Sequence, residues 1–519
     1  MTPENSFLIK KFDDFLKTIK KNKTFIFLVA AVSILYILPI LLTNTLYVDD
    51  LNRMVEGYDW EHDGRFSSSF IMHLLSFQRT VVFSLFPFSN IASVLIISLS
   101  GFIFCYAIGV RNKIQLFIGS LLLTTCPFIL EILVYRFDCI PISLSFLCIT
   151  VPFLFYQNKK IFFLISLVGI LLSLGFYQTT ALSYCIILCF FLIKDIWNNL
   201  FKTALISGFI AFFAFILGFA GYQLVVNLLD MQMLQDGRGA FVFKDENLRM
   251  VFENHLAGLK DLIASLIDSS YKYTLYFLFF FTAVAAIMYV ATNIKAHWNK
   301  YLPFKLLAVL FLAICIIAFV AGINMVVYEP RWVPRGMIGW GFAMYAFYFV
   351  LIINKETFWK NVRLVVAFLP IMYYSFVISS QLGIYLKNQD EFSDFIINLV
   401  SPQLIAYERV KVTEHQRIKL VIKGTIKRAH RNHSVNNTTL PFVNKLAPAY
   451  ENKDWGWGII RVNKFNNIAS EYIGGERREE ILININDYPI IDRNIYYTLR
   501  LKHDVAILDF DNEDSEINN

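Results

Sequence analysis

Two adjacent carboxylates, Asp49 and Asp50, directly follow the first long apolar run of the chain, 24–46. The stretch they belong to, 47–65 (YVDDLNRMVEGYDWEHDGR), also carries Arg53, Glu56, Asp59, Glu61, Asp63 and Arg65, in a chain that is only 17 % charged. An Asp held near an apolar surface has a raised proton affinity, which suits a general base removing a proton from a hydroxyl. Two neighbouring Asp residues also offer oxygen ligands to a divalent ion, but their side chains diverge, so a metal is allowed and not required. The competing reading is capping, in which an Asp at a helix start accepts backbone N–H bonds. The stretch as a whole reads as the catalytic loop of a polytopic membrane enzyme. Within it, Glu56, Asp59, Glu61 and Asp63 read as solvated or acceptor-side residues.

Arginines form the second chemical group. In Glu329-Pro-Arg-Trp-Val-Pro-Arg335 the two prolines fix an extended turn between apolar runs. Arg331 and Arg335 present planar forks that match a phosphate, at the depth of a lipid phosphate. The alternative is interfacial anchoring by these arginines and Trp332. In Tyr135-Arg-Phe-Asp138, Arg136 and Asp138 either pair with each other or aim charge at the same cavity. Asp236-Gly-Arg238-Gly reads as a turn and lacks the Gly-Lys-Ser/Thr of a phosphate loop. His62 and His73 read as surface or packing residues, and neither HExxH nor GxSxG occurs.

These residues need elements to position them, and composition says which. The chain has 519 residues, 56 % of them hydrophobic, with 51 Phe. Soluble domains average roughly 45–50 % apolar residues, so the excess, arranged in long blocks, indicates membrane spans. Spans are expected near 24–46, 84–110, 114–133, 139–156, 161–178, 181–193, 203–228, 272–292, 306–327, 337–353 and 364–386, about eleven in all. The first is about 34 Å long at ~1.5 Å per residue and ends in no small-residue cleavage site, so it reads as a signal anchor.

Charge orients the spans. Short Lys-rich connections (111–113, 159–160, 194–202, 295–305, 355–363) alternate with connections carrying Asp, Glu and Arg (47–83, 135–138, 177–180, 229–271, 328–335). The positive-inside rule makes the first set, and residues 1–23, cytoplasmic. The second set is then outside, and clustered mixed charge at span ends there implies a wet cavity opening outward. The net charge of +7 reflects loop anchors and makes no footprint for nucleic acid. All seven cysteines lie in or beside apolar runs without a CxxC pair, so neither disulfides nor a metal site are expected.

Two outer stretches, 66–78 and 248–266, place their apolar residues on one helical face. Each either lies on the membrane or packs on neighbouring protein. From residue 387 the composition becomes polar, and 387–519 is expected to be a small extracytoplasmic α/β domain. It has a helix near 390–405, strands near 418–422, 496–502 and 505–510, and a frayed tail at 511–519. Tyr450, Trp455 and Trp457 are either sugar-stacking surfaces or core of that domain. The sequons at Asn432 and Asn437 read as chance in a polar stretch.

The pattern Tyr47-Val-Asp-Asp-Leu-Asn-Arg53, Gly57-Tyr, Trp60 and Gly64-Arg65 resembles the first outer loop of Gtr-type O-antigen glucosyltransferases, the serotype-converting enzymes of phages and O-antigen modification clusters. Tyr135-Arg-Phe-Asp138 and Pro334-Arg335 are similar to later parts of the same pattern, and the resemblance runs through 24–386. It implies an α-helical polytopic membrane protein of GT-C type, with 24–386 as the catalytic domain and 387–519 as the extracytoplasmic domain. Such an enzyme, multi-pass in the bacterial inner membrane, moves a sugar, glucose at family level, from a polyprenyl phosphate to an O-antigen acceptor in the periplasm. The implied catalytic acid stands in the first outer loop, at Asp49 or Asp50. Arg53, Arg65, Arg136, Asp138, Arg331 and Arg335 are the implied substrate-binding residues. The implied partners are the lipid donor, the polysaccharide acceptor, a polyprenyl-phosphate glucosyl synthase and a flippase. No cofactor is expected.

Two other classes make distinct demands. A transporter or flippase for a lipid-linked glycan needs ionisable residues near the midplane of its spans or paired broken helices, and only Glu131 stands near the outer end of a run. A membrane O-acetyltransferase needs a buried His with a cytoplasmic coenzyme A entrance, whereas the histidines here sit mainly in loops and the tail.

Overall fold

A computed structural model describes residues 13–231, 242, 248–297, 301–353, 357–411, 417–432, 439–453, 456–464 and 468–511. The turn at 236–239, Trp455, Asn437 and the tail 512–519 lie outside the described residues. The chain divides into two compact units, one of 1–42 with 58–380 and one of Thr43–Gly57 with 381–519.

The first unit holds the membrane helices. Among the described residues nine helices are long and apolar enough to cross a bilayer, including Lys23–Thr43, Phe88–Ile108, Phe201–Leu228 and Pro334–Ile352. A tenth expected span, 114–133, is a pair of helices, Lys113–Thr124 and Pro127–Val134, bent by 50°. The eleventh, 139–156, is a shorter apolar helix over Cys139–Phe155 whose last turn tightens to a 3₁₀ helix at Val151–Phe155. The about eleven expected spans therefore correspond to nine helices, one broken pair and one short helix. The break has a local cause. Pro127 supplies no N–H to the preceding turn and is suited to the first position of a new helix.

Polar caps mark the expected Lys-rich connections. The Asn112 side chain accepts from the N–H groups of Ile114 at 3.0 Å and Gln115 at 3.3 Å, and Asn158 accepts from Ile161 at 3.2 Å. Between spans, small and hydroxylated residues bring backbones close. Ser98 Oγ lies 2.7 Å from Ser33 Oγ and 2.8 Å from Thr124 Oγ1, tying three helices together. Tyr345 and Tyr348 donate their hydroxyls to the carbonyls of Gly119 at 2.6 Å and Gln115 at 2.8 Å. Gly119 is required there, since a Cβ would stand 2.3 Å from Cys105 Sγ.

The two amphipathic stretches form the helices Phe66–Ser76 and Leu248–Ile267. The first turns Ser67, Ser68, Ser69, Met72 and Ser76 inward, packs Ile71 and Leu75 against a core that includes Trp60 and Phe137, and leaves Phe70 and Leu74 exposed. The second packs on neighbouring protein. His255 bridges the carbonyls of Val251 and Val327 at 2.5 Å and 2.9 Å, and the Trp332 ring fills the space beside Gly258.

In the second unit a five-stranded sheet runs in the order β2-β1-β5-β4-β3, with β1 Ile418–Lys423, β2 Ala469–Tyr472, β3 Ile490–Arg493, β4 Thr498–Lys502 and β5 Val505–Asp509. β1 is parallel to both β2 and β5, while β4 is antiparallel to β3 and β5. Both faces of the central strands are covered. Ile418, Leu420, Ile422, Ala506 and Leu508 meet Ile396, Ile397, Val400 and Leu404 of a long helix, while Val421, Val505 and Ile507 meet Ile473 and the short helix Gly475–Ile483. Burial on both faces explains why β1 lacks a clean alternation of apolar and polar residues. The expected helix at 390–405 is not separate from the last span. One helix runs over Thr357–Lys411 and passes Pro370, Gly383 and Pro402.

Candidate functional site

The eight sequence-derived candidates fall in both units. Asp49, Asp50 and Arg53 belong to the second; Arg65, Arg136, Asp138, Arg331 and Arg335 belong to the first.

In the second unit, Asp49 and Asp50 start a short helix, Asp50–Glu56, closed by Gly57 at φ 67° with its N–H on the Arg53 carbonyl at 2.8 Å. Gly suits that left-handed closing position because it has no Cβ to clash. Asp49 occupies the N-cap position, yet its side chain makes no capping bond, which removes the capping reading for Asp49. Asp50 is fully buried and Arg53 nearly so. The residue before the pair, Val48, holds φ at 50°. For a β-branched residue this is a strained conformation costing about 1–3 kcal/mol, which persists only where surroundings over-determine it.

Those surroundings are aromatic. Tyr47 donates its hydroxyl to the Leu446 carbonyl at 2.7 Å, and Tyr450 donates to the Leu46 carbonyl at 3.0 Å. Leu51 is buried against Tyr450 and Trp457, with Leu46, Val48 and Ile460 packed around them. Tyr450 and Trp457 are thus core residues that grip the acidic segment, which settles their alternative in favour of packing. Burial pushes the Tyr450 phenol well above its usual range; Arg461 opposes this, and Asp390 and Asp50 add to it. The phenol stays protonated and serves as a donor.

Behind them lies a buried charge network. Arg461 pairs with Asp390 at 2.5 Å, Asp394 at 3.1 Å and Glu451 at 3.4 Å, and Ser393 donates to Glu451. Burial raises the Glu451 carboxyl above its usual value, with Arg461 as the main opposing influence.

In the first unit the strip 131–138 carries Arg136 and Asp138 and contacts Arg65 and Arg335, and every residue of it is buried. Its irregular backbone is satisfied from within the protein, since Asn90 donates to the carbonyls of Leu133 at 2.8 Å and Tyr135 at 2.9 Å. Asp138 accepts from Trp60 Nε1 at 2.6 Å and lies 3.4 Å from Arg65 Nη1. Arg65 also lies over the Tyr177 ring at 5.0 Å. Gln178 completes this side by donating to the Asp63 carbonyl at 2.9 Å. At the other end of the strip, Glu131 Oε2 accepts the Arg335 backbone N–H at 2.7 Å, and its Oε1 stands 3.7 Å from Arg335 Nε. The Arg335 guanidinium lies over Tyr135 at 4.6 Å, and that of Arg136 over Phe86 at 4.2 Å. Arg331 is held by its carbonyl, which accepts from Asn324 at 3.0 Å.

The strip thus brings Arg65 and Asp138 together at one end and holds Arg335 on Glu131 and Tyr135 at the other, with Arg136 over Phe86. Sequence reasoning left out Trp60 and Gln178 as members and gave Glu131 no role in the site. Glu131 had a signal, because an acid inside an apolar run must find a partner. Among the described residues no three His, Cys, Asp or Glu side chains gather as a metal-binding group.

No solved structure matches the chain. A stretch of 183 residues is 27 % identical to a protein of Salmonella phage P22 described as an uncharacterized 55.3 kDa protein in the gtrB 5' region. The match covers 35 % of this chain and 38 % of that protein's length. The family model for glucosyl transferase GtrII matches residues 38–353, which is more than half of the chain and includes all eight candidates. The chain belongs to the GtrII glucosyl transferase family.

Proposed function

We propose that this membrane protein is an inverting glycosyltransferase that moves glucose from a polyprenyl phosphate to an O-antigen acceptor on the outer side of the bacterial inner membrane. The observation that carries the reading is the acidic pair, Asp49 without a capping bond and Asp50 buried, at the end of the first span.

One of the two carboxylates takes the proton from the acceptor hydroxyl. The hydroxyl oxygen then bonds to the anomeric carbon as the bond from that carbon to the phosphate oxygen breaks. The leaving polyprenyl phosphate gains negative charge, and positioned arginines stabilise it. Arg53, Arg65, Arg136, Arg331 and Arg335 are the candidates, with Asp138 holding Arg65. The sugar is already activated as a phosphate ester, so no nucleotide and no cofactor enters the scheme. A partner synthase that charges the lipid inside and a flippase that turns it over supply the donor.

In this topology 1–23 is cytoplasmic, 24–386 is the catalytic domain with outer loops at 47–83 and 229–271, and 387–519 is periplasmic. A reporter fused after Asn519 is then active only in the periplasm. Composition and linkage analysis of O-antigen from cells with and without the protein tests the activity. A glucosyl branch present only with the protein supports the reading; identical O-antigen from both strains removes it.

A further inference from the structure

We infer that the C-terminal domain sets the geometry of the acidic pair, with Tyr450 and Trp457 as positioning residues for transfer. The inference rests on the reading of Asp49 or Asp50 as the base.

The segment Thr43–Gly57 belongs to the same compact unit as 381–519, although more than 320 intervening residues separate the two in sequence. Hydrogen bonds fasten it at the two residues before the strained Val48. The Leu46 carbonyl accepts from Tyr450 at 3.0 Å, and Tyr47 donates to the Leu446 carbonyl at 2.7 Å. Leu51, one residue past the pair, is 2 % exposed and packs on Tyr450 and Trp457. The tight turn then closes with the Asp50 N–H on the Tyr47 carbonyl at 2.9 Å.

The two aromatics are themselves fixed from behind. Tyr450 precedes Glu451 in sequence, and Trp457 opens the short helix Trp457–Val462 that carries Arg461. Glu451 and Arg461 form the network that reaches Asp390, Ser393 and Asp394 on the long helix. A continuous set of contacts therefore runs from the long helix through Arg461 and Glu451 to Tyr450 and Trp457, and on to the backbone around Asp49 and Asp50. A conformation that Val48 adopts only under constraint is held by this domain rather than by local sequence preference.

The test uses the full chain in lipid nanodiscs, with undecaprenyl-phosphate-glucose as donor and O-antigen-bearing lipopolysaccharide as acceptor. Tyr450→Phe, Trp457→Ala and Trp457→Phe are compared with wild type by hydrogen exchange over 43–57 and by steady-state kinetics. Trp457→Ala is expected to speed exchange in 43–57 about tenfold or more while leaving 88–108 unchanged. The same variant is expected to lower kcat about tenfold or more, since small displacements of a reacting group are costly. KM for the donor is expected to stay within about twofold, because ground-state binding is not the target. Trp457→Phe is expected to restore most of both. Tyr450→Phe, which removes one hydroxyl, carries the test if Trp457→Ala does not fold. Unchanged exchange in 43–57, or faster exchange with wild-type kcat, overturns the inference. Asp49→Asn and Asp50→Asn run beside them. If both keep wild-type kcat, the base reading fails, while the exchange data still decide whether the domain holds the segment.

Discussion

The acidic segment 43–57 and the buried strip 131–138 both concentrate charge, but they are framed by different forces. The strip is ionic: Glu131 holds Arg335, and Asp138 is held by Arg65 and Trp60. The acidic segment sits in an apolar and aromatic frame made by Tyr47, Leu51, Tyr450 and Trp457. A charge fixed by counter-charges leaves its partner buried and unpaired when it is removed. A segment fixed by packing and by hydrogen bonds loses its geometry when the aromatic frame is cut. The two frames should therefore fail in different ways when cut.

The largest stability loss is expected at the network behind the aromatic frame. Arg461→Ala leaves Glu451 buried without its main counter-charge and should cost about 3–5 kcal/mol. Chemical denaturation followed by tryptophan fluorescence reads this, because Trp457 lies on the same helix. In the strip, Glu131→Ala removes the acceptor of the Arg335 N–H and its ion-pair partner, at a cost of about 3 kcal/mol. If the strip binds the donor, Arg335→Ala should raise donor KM more than acceptor KM; unchanged kinetics would remove its phosphate role.

A smaller effect appears in the pH dependence. Glu451 in the folded protein holds its proton more tightly than the unfolded carboxyl at its usual 4.5. The folded state then binds more protons in the window above 4.5, so this group's contribution to stability falls as pH rises through that window. Glu451→Gln cannot ionise, so its stability relative to wild type should improve as pH climbs from 4.5, as read by thermal unfolding at several pH values. A difference independent of pH would contradict the assignment. The smallest effect is expected at an exposed pair in neither frame. Glu253→Ala breaks its i,i+4 contact with Arg249 at 2.8 Å and should change stability by no more than about 0.5 kcal/mol.

The membrane class was legible because lipid demands long apolar runs, and the alternation of Lys-rich loops followed directly. The bend at Pro127 and the 3₁₀ end of the short helix were not, because hydropathy counts residues without reading local geometry. Strands β1, β4 and β5 were legible from their β-branched content. β2 and β3 were not, since each has four residues and is largely exposed at a sheet edge. The candidate charges themselves stood out as exceptions in an apolar chain. Their framing did not, because Tyr47 meets Leu446 across 399 residues of sequence and no local pattern encodes such a contact.

The claim at the centre is that one of two adjacent carboxylates performs proton abstraction. Transfer from undecaprenyl-phosphate-glucose by purified Asp49→Asn and Asp50→Asn protein tests it most directly. At least one variant, folded as wild type, should lose activity by about 10²–10⁴-fold. Wild-type rates from both would contradict the account.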